Sequence, residues 1–184
     1  MNILVLGAGE KAADYHANPS SICNRDSVFI GENPRIVCVD RRPLWGVDVI
    51  ADLDNKDWRT RVVSLAPDLY DLIIAEHIAE HLTDRIGFLK NCYGLLGYEK
   101  LLILEVPNWC HVLAHGNLEH KSTWSRMSFD GYVVQDFFRV ERVKYRWTNP
   151  ISFRNHYFPT EWLGRQVDRF TREVSGLRFY LRAK

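Results

Sequence analysis

Short apolar runs that alternate with helix-like segments constrain the fold of this chain more than any other feature. Residues 2–6 (NILVL) and 35–39 (RIVCV) are mainly apolar, and turn-forming residues follow each of them. Runs of this length and composition are typical of strands that are buried on both faces of a parallel sheet. Further strands are predicted at residues 47–51, 69–75, 100–106, 140–147 and 177–181.

Segments with helical periodicity lie between several of these strands. Trp58, Val62 and Leu65 recur at the spacing of one helical face. Thr83 is predicted to cap a helix that ends at Gly97, and two more helices are predicted at residues 129–138 and 161–174. This alternation predicts an α/β fold with a mostly parallel sheet of about seven strands, helices on both faces and an antiparallel last strand.

The composition is that of an ordinary globular protein. A length of 184 residues suits one domain, and 46% of the residues are hydrophobic while 26% are charged. No apolar run approaches the roughly 18 residues of a membrane-spanning helix, so no membrane association is expected. The four cysteines form no C-x-x-C pair and mostly lie in apolar segments. These features favour the reducing cytoplasm as the location of the protein.

Glycine and acidic residues follow the first three predicted strands. Gly7 and Gly9 come directly after the first strand, Asp40 ends the second, and Asp52 and Leu53 end the third. Ligands of parallel α/β sheets bind at the carboxyl ends of the strands, where glycine lets the backbone approach closely. Taken singly, the glycines could form an ordinary tight turn and Asp40 could pair with a neighbouring arginine. In this order along the chain, the residues favour an adenosine site.

The most specific motif follows the fourth predicted strand. It is the stretch EHIAEHL at residues 76–82, and VPN at residues 106–108 follows the fifth strand. Together with the glycine turn and the two acids, these segments resemble the class I S-adenosylmethionine (SAM)-dependent methyltransferases, of the type 11/12-like group. The resemblance covers about residues 2–108.

The resemblance implies a Rossmann-like fold that binds SAM in one domain, residues 1–184. Its cofactor-binding half would be residues 1–108 and its acceptor-side half residues 109–184. The resemblance implies that Gly7 and Gly9 contact the amino acid part of SAM and that Asp40 contacts the ribose. It also implies that Asp52 and Leu53 contact the adenine, and that Ala75, Glu76 and His77 contact the methionine side.

Methyl transfer from a sulfonium requires an oriented acceptor and, for some nucleophiles, a base. The expected acceptor is an oxygen or nitrogen nucleophile in a small molecule or a nucleic acid, and the candidate catalytic residues are His77 and His111. His81 is predicted to be structural. No metal is expected, because the spacing of the cysteine and histidines after the fifth strand matches no zinc pattern: Cys110, His111, His115 and His120.

Two other functions are compatible with the motifs. Gly7-x-Gly9-x-x-Ala12 together with Asp40 also satisfies a dinucleotide fingerprint, which would indicate an NAD-dependent oxidoreductase. The usual third glycine of the methyltransferase loop is replaced, and the distance from Gly9 to Asp40 is longer than usual. These departures are compatible with a SAM-binding or partner-binding module that has lost catalysis.

The last quarter of the chain is strongly cationic. Residues 139–184 hold 11 Lys and Arg residues against 4 Asp and Glu residues. Alternation in the last two predicted strands places several cations on one face, which could be a solvated sheet edge. The sharper hypothesis is an anionic partner or a phosphate-bearing acceptor, bound by Arg142, Lys144, Arg146, Arg178 and Arg182.

Overall fold

The structure is a computed structural model that describes residues 1–23, 30, 33–65, 69–148, 155–158 and 174–184. Within these residues the chain forms one sheet of eight strands. The strands are β1 (Asn2–Leu6), β2 (Arg35–Asp40), β3 (Val49–Ile50), β4 (Tyr70–Glu76), β5 (Leu96–Pro107), β6 (Phe138–Thr148), β7 (Asn155–Phe158) and β8 (Val174–Ala183). The α-helices are α1 (Ala12–Ala17), α2 (Trp58–Leu65), α3 (Arg85–Tyr93), α4 (Val112–His115) and α5 (Tyr132–Gln135).

The order of the strands across the sheet is β3-β2-β1-β4-β5-β8-β6-β7. All neighbours among β1 to β5 pair in parallel, whereas β8 lies antiparallel to both β5 and β6. The predicted α/β fold, with a mostly parallel sheet and an antiparallel last strand, is therefore confirmed. The short strand β7, at the edge of the sheet, was not predicted.

Strand β1 shows why the apolar runs become central strands. Leu4 and Leu6 point into the larger of two apolar clusters, while Ile3 and Val5 point into the smaller cluster on the other face. The larger cluster includes side chains of α2 and α3, and the smaller one includes Ala12 of α1. Since helices cover both faces, every position of β1 except the first is buried.

Several helices are shorter than the periodicity predicts. The helix predicted to reach Gly97 ends at Tyr93, because Leu96 already pairs with Tyr70 of β4. The helix predicted at residues 129–138 is divided into a 3₁₀ turn and α5 on either side of Gly131. Of the helix predicted at 161–174, residues 161–173 lie outside the described residues. In the described ranges, no helix combines the length and apolar character needed to cross a bilayer.

The register of the sheet brings the ends of three strands together. Leu6 of β1 lies beside Val39 of β2 on one side and beside Ala75 of β4 on the other. The residues that follow therefore emerge next to one another at the same edge of the sheet. Strands from both predicted halves of the chain belong to this one sheet.

Candidate functional site

A pocket of about 510 Å³ lies at the carboxyl ends of the first four strands. This volume is within the range of about 300–1,000 Å³ that small-molecule sites occupy. Six of the residues that the sequence predicts for cofactor binding line it: Gly7, Gly9, Asp40, Asp52, Leu53 and His77. The structure thus brings together residues that are up to 70 positions apart in the chain.

The turn after β1 requires glycine at position 7. Gly7 has a φ of 67°, and a Cβ atom there would lie 2.9 Å from the side chain of Ile78. The N–H groups of Gly7 and Ala8 both donate to the carbonyl of Val39. The backbone is therefore held close against Ile78, which forms part of the wall of the pocket.

Asp40 supports the glycine turn from the end of β2. Its Oδ2 accepts a hydrogen bond of 2.9 Å from the N–H of Gly9, and its Oδ1 accepts one of 2.9 Å from the N–H of Arg42. The guanidinium Nε of Arg42 lies 3.5 Å from Oδ1, so the pairing with a neighbouring arginine is also present. A carboxylate offers about four lone pairs. Asp40 therefore retains capacity to accept further hydrogen bonds in the pocket.

The loop after β3 adds an apolar side chain and two carboxylates. Leu53 is buried, whereas Asp52 is exposed, with its Oδ1 accepting a hydrogen bond from the N–H of Asp54. Burial alone would raise the pKa of Asp54, but donation from Lys121 and Thr83 outweighs it and lowers the pKa. Asp54 and Lys121, 2.7 Å apart, both line the pocket, and the sequence analysis predicted neither.

His77 has a backbone conformation that is uncommon outside glycine. Its φ is 52°, and left-handed residues of this kind are concentrated at functional sites. Its Nε2 lies 3.2 Å from the carboxylate of Glu105, and its Nδ1 lies 3.5 Å from that of Glu80. Burial alone would lower the pKa of His77, but these two carboxylates raise it to about 9. The ring is therefore protonated at neutral pH, which is unfavourable for the predicted role as a general base.

Two other residues predicted to contact the cofactor have side chains outside this pocket. Ala75 is fully buried in β4. Glu76 accepts a hydrogen bond from Arg178 and lines a separate pocket of about 220 Å³ beside α1. Any contact that Ala75 makes with a ligand in the larger pocket would have to come from its backbone.

The second catalytic candidate, His111, does not line the pocket. It is half-buried just before α4, and burial lowers its pKa. The loop that follows α4 reaches the pocket further along the chain, through Leu118, Glu119 and Lys121. The sequence carried no signal for this approach, since it depends on N–H groups of the loop that donate to the carbonyl of Glu80.

The basic face of the last strands is largely paired with acids. Arg178 is 1% exposed and hydrogen-bonds to both Glu76 and Glu105, so the prediction that it faces an anionic partner is wrong. Arg146 pairs with Glu105, and Arg182 pairs with Glu141. Of the other two cations in the predicted set, the guanidinium of Arg142 lies 4.0 Å and the ammonium of Lys144 5.4 Å from the ring centre of Tyr180.

Comparison with known proteins adds a likeness of fold. No protein-family model and no curated protein sequence matches the chain. Solved structures do match it, and one is a SAM-dependent methyltransferase from Archaeoglobus fulgidus with a TM-score of 0.62 and 14% identity, over 100% of this chain and 86% of that one. A SAM-dependent methyltransferase from Aquifex aeolicus has a TM-score of 0.54 and 14% identity, over 100% and 82%. The N-methyltransferase NodS from Bradyrhizobium japonicum, in complex with S-adenosyl-L-homocysteine (SAH), has a TM-score of 0.58 and 10% identity, over 99% and 77%.

The fold is that of the Rossmann-like methyltransferases. The position of β8 agrees with this assignment, because β8 is inserted antiparallel between β5 and β6. In the dinucleotide-binding fold the sheet is mostly parallel and its strand order is 3-2-1-4-5-6. The methyltransferase fold and the dinucleotide-binding fold thus differ at β5, β8 and β6, in the half of the sheet that does not carry the glycine fingerprint.

Proposed function

We propose that the chain is a SAM-dependent methyltransferase that acts on an oxygen or nitrogen nucleophile. The observation that carries this proposal is the 510 Å³ pocket, in which the glycine turn, Asp40 and the loop of Asp52 and Leu53 meet at the carboxyl edge of a methyltransferase fold. SAM is the cofactor in the proposal, and a bound SAM would supply the electrophilic methyl group.

The residues of the pocket suit the parts of this cofactor. The turn has room for the amino acid part at Gly9, because the nearest atom to a Cβ position there is a guanidinium nitrogen of Arg42, 3.6 Å away. Asp40 can accept hydrogen bonds from ribose hydroxyl groups, as the free lone pairs of its carboxylate allow. Asp52 and Leu53 offer an acceptor and an apolar surface to the adenine. Ala75, Glu76 and His77 are assigned to the methionine side, with His77 contributing its side chain and Ala75 and Glu76 their backbone.

The acceptor lies beyond the cofactor in the proposal, next to the loop of Leu118 and Glu119. This position is open to a small molecule. A phosphate-bearing acceptor or a nucleic acid is less well supported, because acids already pair with Arg146, Arg178 and Arg182. We do not assign a general base, since His77 is cationic at neutral pH and His111 does not line the pocket.

Thermal unfolding with SAM, SAH or NAD tests the proposal. A ligand at 100 times its Kd stabilises a protein by about 2.7 kcal/mol, which gives a measurable rise in Tm. SAM and SAH should raise the Tm, and NAD should not. Asp40→Asn should reduce the rise, because an amide nitrogen cannot accept a hydrogen bond from ribose, while Asp57→Asn, at an exposed acid outside the pocket, should leave it unchanged.

Activity then separates an enzyme from a binding module that has lost catalysis. The protein is incubated with SAM carrying a labelled methyl group and with fractions of a cell extract, and the labelled product is identified. Label in one fraction supports the methyltransferase. Binding of SAH without label in any fraction favours the binding module, and a rise in Tm with NAD alone contradicts both in favour of an oxidoreductase.

A further inference from the structure

Two segments that are 40 residues apart meet beside the pocket. The first is the 3₁₀ turn Ala79–His81 that follows β4, and the second is the loop that contains His120. The N–H groups of Lys121 and Ser122 donate to the carbonyl of Glu80, over 2.9 Å and 3.1 Å. These backbone hydrogen bonds hold His120 next to the pair Glu80 and His81.

Three metal-ligating side chains converge at this junction. Glu80, His81 and His120 each offer one ligand atom, and these atoms all lie within 4.8 Å of one another. The rings of the two histidines meet edge to face, with their centres 4.8 Å apart. Two imidazoles and one carboxylate form a donor set that divalent first-row transition metals prefer.

The hydrogen bonds of the two histidines use Nδ1 and leave Nε2 of each ring available to a ligand. Nδ1 of His81 lies 3.2 Å from the carbonyl of Glu119, and Nδ1 of His120 lies 3.2 Å from the carbonyl of Ala114. A carbonyl can only accept, so Nδ1 of each ring carries the proton. In a neutral ring the lone pair is then on Nε2, and orientation by a backbone carbonyl is the usual arrangement of a metal-binding histidine.

The burial of the Glu80 carboxylate is the observation that most strongly indicates a bound cation. Its residue is 2% exposed, and among the described residues its Oε2 atom has no hydrogen-bond donor, while Oε1 lies 3.5 Å from Nδ1 of His77. A buried carboxylate oxygen without a partner is costly, because it has lost its hydration without replacement. A metal ion beside His81 and His120 would provide the missing partner.

We propose that Glu80, His81 and His120 bind a divalent first-row transition metal. This differs from the expectation, drawn from sequence spacing, that no metal is present. His81 also lines the 510 Å³ pocket, so the ion would adjoin the position assigned to the acceptor. With three ligands from the protein, coordination positions remain for water or for a ligand, as in catalytic metal sites. The proposal does not depend on the proposed cofactor.

A second group of metal-ligating residues is a weaker candidate. His16, Cys38 and Asp48 also lie within 4.8 Å of one another. However, Oδ2 of Asp48 already accepts from the N–H of Cys38 and contacts Nε2 of His16. Burial raises the pKa of the Cys38 thiol to about 12, which disfavours the thiolate that binds metals. This group is therefore explained as a structural hydrogen-bonded pair next to a buried thiol.

Metal binding can be measured without cofactor or substrate. The purified chain is treated with a chelator, dialysed against Zn²⁺, Co²⁺ or Mg²⁺, and analysed for bound metal and for Tm. We expect one Zn²⁺ or Co²⁺ per chain with a rise in Tm, visible absorption bands for Co²⁺, and no retained Mg²⁺, because imidazole is a poor ligand for Mg²⁺.

Variants assign the ion to its ligands. Loss of an outer-shell partner typically weakens metal binding 10–100-fold, so we expect removal of a direct ligand by Glu80→Gln, His81→Ala or His120→Ala to weaken it by at least about 100-fold. His115→Ala is the matched control, since His115 ends α4 five residues before His120 and contacts the carbonyl of Trp109 instead. Circular dichroism and the Tm of each metal-free variant confirm that it is folded.

Two outcomes would overturn the proposal. One is the absence of stoichiometric Zn²⁺ or Co²⁺ in the folded wild-type chain. The other is metal binding that persists in the three folded variants but disappears in His16→Ala, which would assign the ion to the group of His16. SAH binding is measured separately in the metal-free protein, so a failure of the metal site is distinguishable from a failure of the proposed function.

Discussion

Two regions at the carboxyl edge of the sheet carry charged side chains, and these side chains differ in the partners they bind. In the pocket at β1 to β4, Asp52 is exposed and Asp40 accepts hydrogen bonds from backbone N–H groups. In the neighbouring region at β4, β5 and β8, the acids are paired with cations. We call this region the Glu105 cluster: Glu76, His77, Glu105, Arg146 and Arg178.

The register of the sheet explains the difference. Glu76 lies directly beside Glu105, and Glu105 lies directly beside Arg178. Two adjacent carboxylates, one of them buried, would repel each other, and the guanidinium of Arg178 contacts both. The Glu105 cluster therefore stabilises the junction between the parallel strands and β8, whereas in the pocket Asp54 pairs with Lys121 and Asp52 is left exposed. Charged residues that follow the strands thus have a structural role in the Glu105 cluster, and a binding role is proposed only for those of the pocket.

Removing the central cation of the cluster should have the largest effect. Arg178→Met removes the cation that contacts both Glu105 and Glu76 and leaves Glu105 with His77 and Arg146 alone, and breaking a buried pair of this kind costs about 3–5 kcal/mol. For a chain of this size that corresponds to a fall in Tm of roughly 6–20 °C. Differential scanning calorimetry measures it. The control is Arg139→Met, at an exposed pair with Glu99, which should change stability by less than about 1 kcal/mol. Equal effects of the two variants would contradict the assignment.

Acid should weaken the Glu105 cluster by protonating Glu105. Burial alone would raise the pKa of Glu105, but hydrogen bonding to His77 and the charge of Arg178 hold it well below its usual range. Because this pKa is lower in the folded state, its stabilising contribution is present above the unfolded value of about 4.3 and is lost as the pH falls below it. Urea unfolding between pH 3 and 7 should show this decline. Glu105→Gln should flatten it, and an unchanged slope in that variant would assign the decline to other acids.

A methyl group at Gly7 should strain the pocket. Gly7→Ala combines a positive φ with a Cβ atom 2.9 Å from Ile78, so we expect a loss of about 1–3 kcal/mol in the free energy of unfolding. Gly131→Ala is the matched control, because no atom lies within 4 Å of its Cβ position. Chemical denaturation of both variants tests this. If Gly131→Ala were equally destabilising, the turn after β1 would have no special requirement for glycine.

The smallest effect is expected at the exposed acid of the pocket. Asp52→Ala should weaken SAH binding about tenfold, equivalent to about 1.4 kcal/mol, without changing the Tm in the absence of ligand. Isothermal titration calorimetry gives the affinity, and Asp57→Ala is the control outside the pocket. An affinity that Asp52→Ala leaves unchanged would remove Asp52 from the adenine side, and a large fall in Tm would place it with the structural acids.

Local patterns in the sequence were sufficient for seven of the eight strands in the described residues and for much of the pocket. The apolar runs of β1, β2, β4 and β5 are continuous because both faces are buried, and this feature is legible in the chain alone. Gly7, Gly9, Asp40, Asp52 and Leu53 were predicted from their positions after the first three strands, and they line one pocket. Their roles in binding SAM, like the cytoplasmic location, stay predictions.

Contacts between residues that are far apart in the sequence were not predictable from local patterns. Asp54 and Lys121 meet across the pocket although 67 positions separate them. Arg178 was expected at a surface because alternation distinguishes the two faces of a strand but does not show which face is covered. The spacing of histidines along one segment likewise did not reveal that His120 lies beside Glu80 and His81.

The sequence by itself determined where backbone can form buried strands and which residues must follow them at the carboxyl edge. Those features depend on neighbours within a few positions, and so they appear as local patterns of apolar residues, glycine and acid. Only the tertiary structure decided which charged side chains form ion pairs with one another and which are exposed to the pocket. Pairing depends on register between strands such as β5 and β8, where Glu105 and Arg178, 73 positions apart, become neighbours.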